Sequence, residues 1–390
     1  MRVNSGGVKK VAIFGSTGSI GCSTLDVVRQ HSDRFKVTVL TANENAELLA
    51  QQAKEFQPAS VVIKNESKRE ALQTALSGCS VEVLAGEQAI RDVAAEPCDL
   101  TLAAIVGAPG LLPTLNAIKA GNNIALANKE TLVCAGDLVM AEARRRGVKI
   151  LPVDSEHCAV FQCFDPEQRT KIDKVTITAS GGPFRDWSKE QIQNAQLEQA
   201  LKHPSWEMGR KITIDSASLM NKGLELIEAK HLFDLRPDQL DAVVHRQSII
   251  HALVHYCDGS VIAQLANPDM RLPIAYAMAW PERIETPCPP LDLVKLGMMT
   301  FEAPCHERFP CLRLAIEAME VGGNATTVLN AANEEAVSAF LKRKITFMDI
   351  PAMVEAALEQ IEWSPAQELP QIIDSDRETR LLVQHLISKN

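Results

Sequence analysis

The sequence is poor in aromatic residues: Phe, Trp and Tyr together make up 4% of its 390 positions. So little aromatic surface leaves few platforms on which bases could stack, which argues against a nucleic-acid binder. Positive charge is also short. Lys plus Arg is 40 against 49 for Asp plus Glu, a formal net charge of −9, and a broad surface for phosphate backbones needs the opposite balance. A few local cations can still hold a small anion. No uninterrupted apolar run reaches the roughly 18 residues that a membrane-spanning helix needs. The first ten residues lack the apolar stretch of a secretory signal. None of the ten cysteines forms a C-x-x-C pair, and in a long chain without a signal they read as reduced thiols of a cytoplasmic protein. Hydrophobic residues at 46% and charged residues at 23% exclude a disordered chain. The length exceeds one ordinary core, so two or three domains are expected.

The first 150 residues alternate apolar, β-rich runs with amphipathic stretches. Strands are expected at 10–14, 36–40, 61–63, 81–84, 100–106, 124–126 and 148–153, with helices between them, for example 20–30, 66–76 and 111–120. Strands separated by helices pair in parallel through right-handed crossovers, which predicts an α/β, doubly wound, Rossmann-like sheet. Residues 1–153 form this N-terminal domain. An α+β domain is expected over 154–280, with strands at 174–179 and 211–214 and a hairpin of 243–255 and 261–265 around Asp258-Gly259. Six prolines between 281 and 310 mark 281–311 as an extended linker. Helical patterns at 312–320, 326–343, 350–361 and 377–388 predict a small C-terminal helical domain over 312–390.

Gly15-Ser16-Thr17-Gly18-Ser19-Ile20-Gly21 follows the first strand and opens the first helix. Glycines there permit a tight turn, and the helix N-terminus offers free N–H groups to a pyrophosphate. The simpler reading is a structural glycine turn. The second strand ends near Thr41-Ala42-Asn43-Glu44-Asn45. The strand end itself is neutral where an NAD site usually has an acid on the ribose hydroxyls, Glu44 comes a few residues later, and no Arg or Lys is visible for the extra phosphate of NADP. The choice of dinucleotide therefore stays open.

Five further stretches carry chemistry. Asp154-Ser155-Glu156 follows a sheet strand; in an extended chain its two carboxylates point to one side, and an oxygen-only pair suits Mg²⁺ or Mn²⁺. A solvated loop is the plain alternative. Ser180-Gly181-Gly182-Pro183 offers a hydroxyl and backbone N–H groups to an anion, or is an ordinary turn. The stretch 202–211 mixes charge, Trp206, Pro204 and Gly209 without periodicity, and reads as a mobile lid or a surface loop. Ser216, Asn221 and Lys222 could bind a phosphate, with Glu225 early in a helix at 224–232 completing a three-carboxylate metal site. Lys129, just past a strand end, is either a substrate cation or a solvated charge. His251 and His255 lie on a strand, where their spacing builds no zinc site. Cys134, Cys158 and Cys163 read as packing thiols.

The ordered set Gly15–Gly21, Leu126–Glu130, Pro152–His157, Thr178–Phe184 and His203–Glu225 closely resembles the 1-deoxy-D-xylulose 5-phosphate reductoisomerase family, over nearly the whole chain. That resemblance implies a cytoplasmic homodimer of non-mevalonate isoprenoid synthesis. It implies NADPH- and Mg²⁺- or Mn²⁺-dependent conversion of a small phosphorylated sugar to 2-C-methyl-D-erythritol 4-phosphate, with no nucleic acid or membrane partner. By matched motif, Thr17, Gly18, Ser19, Ile20, Asn128, Glu130 and Gly209 would contact the cofactor, together with Asn43, Glu44 and Asn45. Asp154, Glu156 and Glu225 would be metal ligands. Lys129, Ser155, Glu156, Ser180, His203, Ser216, Asn221, Lys222 and Glu225 would contact substrate, with Lys129, Glu156 and His203 catalytic. Trp206 and Met208 would belong to the lid. Family members often carry Gly followed by Lys or Arg where this chain has Asn43-Glu44. Two rival readings are a semialdehyde dehydrogenase-like NADP oxidoreductase with a catalytic cysteine, and a non-catalytic dinucleotide-binding protein.

Overall fold

The computed structural model describes residues 7–204, 206 and 208–389. The chain divides into two compact units. One comprises Met1–Asn128, Val139–Asp154 and Asp269–Cys288; the other comprises Lys129–Leu138, Ser155–Pro268 and Pro289–Asn390.

The first unit is built on seven parallel strands: β1 (Lys9–Phe14), β2 (Phe35–Ala42), β3 (Ser60–Ile63), β4 (Glu82–Ala85), β5 (Leu100–Ala103), β6 (Asn123–Leu126) and β7 (Ile150–Pro152). Their order in the sheet is β4-β3-β2-β1-β5-β6-β7. Val11, Ala12, Ile13 and Phe14 are buried, as are Val61, Val62 and Ile63. Helices cover both faces of such a sheet, so its inner strands are apolar throughout and do not alternate. The chain leaves β1 toward β2 on one side and returns to β5 on the other. This reversal opens a crevice at the carboxyl ends of β1 and β5, where α/β sheets bind ligands. The helix Arg271–Ala279 lies late in the sequence yet packs in this unit, against the helix Ser19–Gln30 and strands β6 and β7.

The second unit holds a four-stranded sheet, with β8 (Ile172–Ala179), β9 (Leu240–Val244), β10 (Ile250–Tyr256) and β11 (Val261–Leu265) in the order β11-β10-β8-β9. β10 pairs antiparallel with both β8 and β11, and β8 pairs parallel with β9. Val175, Ile177, Ala252 and Val254 of this sheet join Leu224 and Ile227 of the helix Met220–Phe233 in one apolar core. That core extends into the helices Pro310–Val321, Ala325–Leu341 and Asp349–Gln360. Among the described residues no helix is long and apolar enough to cross a membrane, and no disulfide joins any of the ten cysteines.

Four local expectations need correction. Residues 211–214 are not a strand; they lie in the helix Arg210–Ala217. The alternation of Lys211-Ile212-Thr213-Ile214 imitates a strand, but an ion pair between Lys211 and Asp215, four residues apart, and burial of Thr213, Ile214 and Ala217 hold the helical turn. The expected strand 243–255 is interrupted between Val244 and Ile250, where Ser248 takes a φ of 52°. Residues 154–156 are not extended, because the helix Ser155–Cys163 begins inside the triplet. The last helix starts at Leu369, well before 377.

Gly223 shows how closely the helices of the second unit approach. A Cβ built there would strike the Ala315 methyl of the neighbouring helix. Glycine in a helix interior ordinarily costs about 1 kcal/mol relative to alanine. Here the close approach reverses that sign, and overpacking costs typically about 1–3 kcal/mol. Gly223→Ala should therefore lower the melting temperature; a rise would show that the helices part freely.

Candidate functional site

In the first unit, the turn after β1 is fixed from three sides. Thr41 accepts the Ser16 N–H at 2.8 Å through its carbonyl, and its hydroxyl accepts the Gly15 N–H at 3.0 Å. The buried Gln52 side chain accepts the Ser16 hydroxyl at 2.8 Å and donates to the Ser16 carbonyl at 2.9 Å. Gly15 has a φ of 89°, and a Cβ there would lie 2.6 Å from the Ala104 carbonyl oxygen. Gly18 caps the helix Ser19–Gln30, and no side chain occupies the capping position. The first-turn N–H groups of that helix are thus left for an anion. Thr17 and Ile20 are half-buried and Ser19 is exposed at this end. These features fit the pyrophosphate of a dinucleotide. Asn128 reaches across from β6 and donates to the Gly107 carbonyl at 2.9 Å and to that of Ile105. Its side chain therefore ties two strand-end loops together. Asn43, Glu44 and Asn45 are exposed at the end of β2.

In the second unit, charged side chains meet in the protein interior. The Lys222 ammonium, 4% exposed, donates to Glu156 Oε1 at 2.7 Å and to Glu225. The Lys129 ammonium, 7% exposed, donates to Asn221 Oδ1 at 2.7 Å and to Glu225 Oε1 at 3.2 Å. Asn221 also donates to Glu225. Burial works against charge on Glu156, but the Lys222 ammonium and the Ser155 hydroxyl hold its carboxyl well below the usual carboxylate range. Burial likewise opposes charge on Lys222, and Glu156 and Glu225 more than offset it. Asp154 immediately precedes Ser155. Single carboxylate oxygens of Asp154, Glu156 and Glu225 lie within 4.8 Å of one another. An all-oxygen donor set of this kind fits a hard divalent cation such as Mg²⁺ or Mn²⁺.

A second grouping, Asp154 with His157 and Glu228, has similar spacing. His157 and Glu228 are fully buried and face each other at 3.2 Å, and His157 Nε2 lies 2.8 Å from the Glu225 carbonyl oxygen. This pair braces the helix that carries Glu225. Sequence reading missed it, because a histidine beside a Glu is common and its partner lies far along the chain.

Gly182, whose N–H donates to Ser180 Oγ at 3.2 Å, packs against the Ser216 backbone. Gly182 has a φ of 66°, and a Cβ there would lie 2.6 Å from the Ser216 carbonyl oxygen. Ser180 Oγ lies 3.0 Å from His203 Nε2, and the Trp206 N–H donates to His203 Nδ1 at 2.9 Å. Since Nδ1 accepts, the proton sits on Nε2 and is directed at Ser180. Trp206 and Met208 are half-buried, and the Trp206 ring lies 6.3 Å from that of His251. Ser205 and Glu207 of the same stretch lie outside the described residues. His251 is buried on β10, and its proximity to Trp206 could not be read from its spacing to His255.

Glu130 and Gly209 meet another charge network. Lys211 Nζ lies 2.7 Å from Glu130 Oε1 and 2.9 Å from Asp215 Oδ2. The Glu130 carboxylate is thereby committed, so what it offers a ligand is its backbone at the start of the helix Glu130–Arg146. Gly209 is exposed and caps the helix Arg210–Ala217. Lys211 went unrecognised in the sequence because its stretch imitates a strand. Cys134 and Cys163 offer no ready nucleophile. Both are buried, and burial pushes both thiols up.

His203 yields a pH test. Burial, followed by the charge of Arg185, lowers its imidazole to about 4 from an ordinary 6.5. The unfolded chain binds this proton below pH 6.5, whereas the folded chain does not until about pH 4. Stability should fall as pH drops through this window, with no further contribution below it or above it. The His203 ring resonances should titrate near pH 4, and His203→Gln should reduce the fall in stability between pH 6.5 and 4. A midpoint near 6.5 would contradict the hydrogen bonds drawn here.

A family model described as 1-deoxy-D-xylulose 5-phosphate reductoisomerase matches residues 11–136. Models of the C-terminal domains of the same enzyme match residues 150–233 and 265–382. The 1-deoxy-D-xylulose 5-phosphate reductoisomerase of Pelodictyon phaeoclathratiforme is 53% identical over 382 residues, covering 98% of this chain and 100% of the relative. That of Gloeobacter violaceus is 49% identical over 386 residues, covering 98% of each. Among solved structures, the Zymomonas mobilis enzyme in complex with NADPH superimposes with a TM-score of 0.92 at 47% identity, covering 98% of this chain and 99% of that one. A DOX-P reductoisomerase in complex with NADPH, fosmidomycin and magnesium gives a TM-score of 0.93 at 43% identity, covering 98% of each chain. With oxygen donors beside buried ammonium groups, a glycine turn at the sheet's reversal and relatives matching from end to end, this chain belongs to the 1-deoxy-D-xylulose 5-phosphate reductoisomerase family.

Proposed function

We propose that this chain converts 1-deoxy-D-xylulose 5-phosphate to 2-C-methyl-D-erythritol 4-phosphate with NADPH and Mg²⁺ or Mn²⁺, as a cytoplasmic homodimer. The observation that carries the reading is the meeting of Asp154, Glu156 and Glu225 beside the ammonium groups of Lys129 and Lys222. Three carboxylates against two ammonium groups leave one unit of negative charge. A divalent cation turns that to a net positive charge, which suits a phosphorylated substrate.

Asp154, Glu156 and Glu225 hold the cation in this reading, and Thr17, Gly18, Ser19 and Ile20 hold the dinucleotide pyrophosphate. Asn128, Glu130 and Gly209 contribute backbone or side-chain contacts to the cofactor, with Asn43, Glu44 and Asn45 near its adenosine end. The bound cation supplies Lewis-acid stabilisation of developing oxyanion charge, and the nicotinamide supplies hydride. The chain's own residues do the rest. Ser155, Ser180, His203, Ser216, Asn221 and Lys222 bind the substrate. Lys222 has three donors and spends two on Glu156 and Glu225. Glu156 already accepts from Lys222 and Ser155, so it serves as a ligand. Lys129 Nζ donates to Glu225 and Asn221, and in this reading Lys129 is the residue that moves a proton. Phosphate binding remote from the reacting carbons orients them. Trp206 and Met208 exclude water as a lid. A dehydrogenase that works through Cys134 or Cys163 fits poorly with their buried, raised thiols.

Two measurements test this. NADPH oxidation with the ketose phosphate should stop on adding chelator and return with Mg²⁺ or Mn²⁺; turnover unchanged in chelator would sink the metal role. Glu225→Gln should cut turnover severely, by about a hundredfold or more. Near-normal turnover at saturating metal would remove Glu225 from the coordination shell.

A further inference from the structure

The end of β2 lacks a cation, yet its neighbour in the sheet supplies one. β3 pairs in parallel with β2, placing Ile63 opposite Ala42. The next residue, Lys64, donates its backbone N–H to the Ala42 carbonyl at 2.8 Å, and Asn65 donates to the Asn43 carbonyl at 3.0 Å. These bonds lock Lys64 beside the segment Asn43-Glu44-Asn45. Its side chain is 37% exposed, and its ion-pair partner, Glu87, lies at 3.9 Å, the outer limit of such a contact. Glu44 is the acid that would repel an anion at this point. The Asn65 amide donates to its carboxylate at 2.8 Å and holds it toward the β3 side. Asn45 Oδ1 is occupied in capping the helix Ala46–Phe56.

We infer that Lys64 is the specificity residue that binds the 2′-phosphate of the adenosine ribose, standing on the strand next to the position where a basic residue is usual. This rests on the proposed use of NADPH. A dinucleotide whose pyrophosphate lies on the Gly15–Gly18 turn extends its adenosine half toward the carboxyl ends of β2 and β3, because the sheet order runs β1, β2, β3. A ribose hydroxyl needs an acceptor at that edge, and a phosphate needs a cation. This edge presents Lys64 while Glu44 is held by an amide. The neighbouring Lys68, four residues on, is exposed in the short helical turn Glu66–Lys68 and makes a matched control.

The test is equilibrium binding of 2′,5′-ADP, 5′-AMP, NADPH and NADH to the full-length chain, by calorimetry, for wild type, Lys64→Ala and Lys68→Ala. Lys64→Ala should weaken 2′,5′-ADP and NADPH at least about tenfold, the scale of a charge-assisted hydrogen bond. It should leave 5′-AMP and NADH unchanged. Lys68→Ala should change none of the four by more than about twofold, as expected of an exposed charge. If wild type prefers NADPH and Lys64→Ala keeps that preference, or if Lys68→Ala is the variant that loses it, the assignment is overturned while NADPH use stands. If wild type itself shows no preference for the phosphorylated dinucleotide, it is the underlying reading that fails.

Discussion

Burying two carboxylates and two ammonium groups in one place is the constraint around which the second unit is organised. Each ion loses several kcal/mol of hydration on leaving water, and only close, well-bonded partners return it. Lys222 therefore bonds both Glu156 and Glu225, and Lys129 bonds Glu225 and Asn221. Removal of one partner would leave an uncompensated buried charge, at a cost of about 3–5 kcal/mol. The arrangement holds Glu156 ionised and ties Glu156 and Glu225 in position before any ligand arrives. Preorganisation of this kind is what a catalytic cation site requires, because no rearrangement is then needed during reaction.

The scaffold around the cluster answers to that need. Glu225, Lys222 and Asn221 ride on one helix, and Gly223 lets it lie against the helix Pro310–Val321 without a side chain between them. His157 and Glu228 fix the same helix from beneath, with His157 against the Glu225 carbonyl oxygen. The helix Ser155–Cys163 brings Glu156 to Lys222. Lys211, in the helix Arg210–Ala217, joins Glu130 and Asp215, and Asn333 donates to Asp215 at 2.8 Å. Apart from the Lys211–Asp215 pair, these contacts link residues distant in sequence, so the site exists only in the folded unit.

This separation explains what could be read from the chain and what could not. Strands β1 to β7 were legible because inner parallel strands are apolar throughout and are punctuated by turn residues. The glycine turn was legible because its residues adjoin one another in sequence. Asp154, Glu156 and Glu225 were picked out as an oxygen-only set and again through motif resemblance, and single oxygens of the three lie within 4.8 Å of one another. Lys222 and Glu225 stand three residues apart, a helical spacing, but the pairs Lys222–Glu156 and Lys129–Glu225 were not legible, since ion pairs spanning 66 and 96 residues leave no local pattern. Residues 211–214 misled because β-branched residues alternated with polar ones, and tertiary packing overrode that pattern. The return of Asp269–Cys288 to the first unit was invisible for a similar reason. The apolar helix Arg271–Ala279 states that it is buried, not against what.

The most direct test of the central claim is a crystal structure of the chain grown with Mn²⁺, read by anomalous scattering. The expected result is a single strong peak coordinated by oxygens of Asp154, Glu156 and Glu225, with Lys129 and Lys222 still within reach of the same carboxylates. A peak on His157 and Glu228 instead, or those three carboxylates turned toward separate regions with no ion between them, would contradict it.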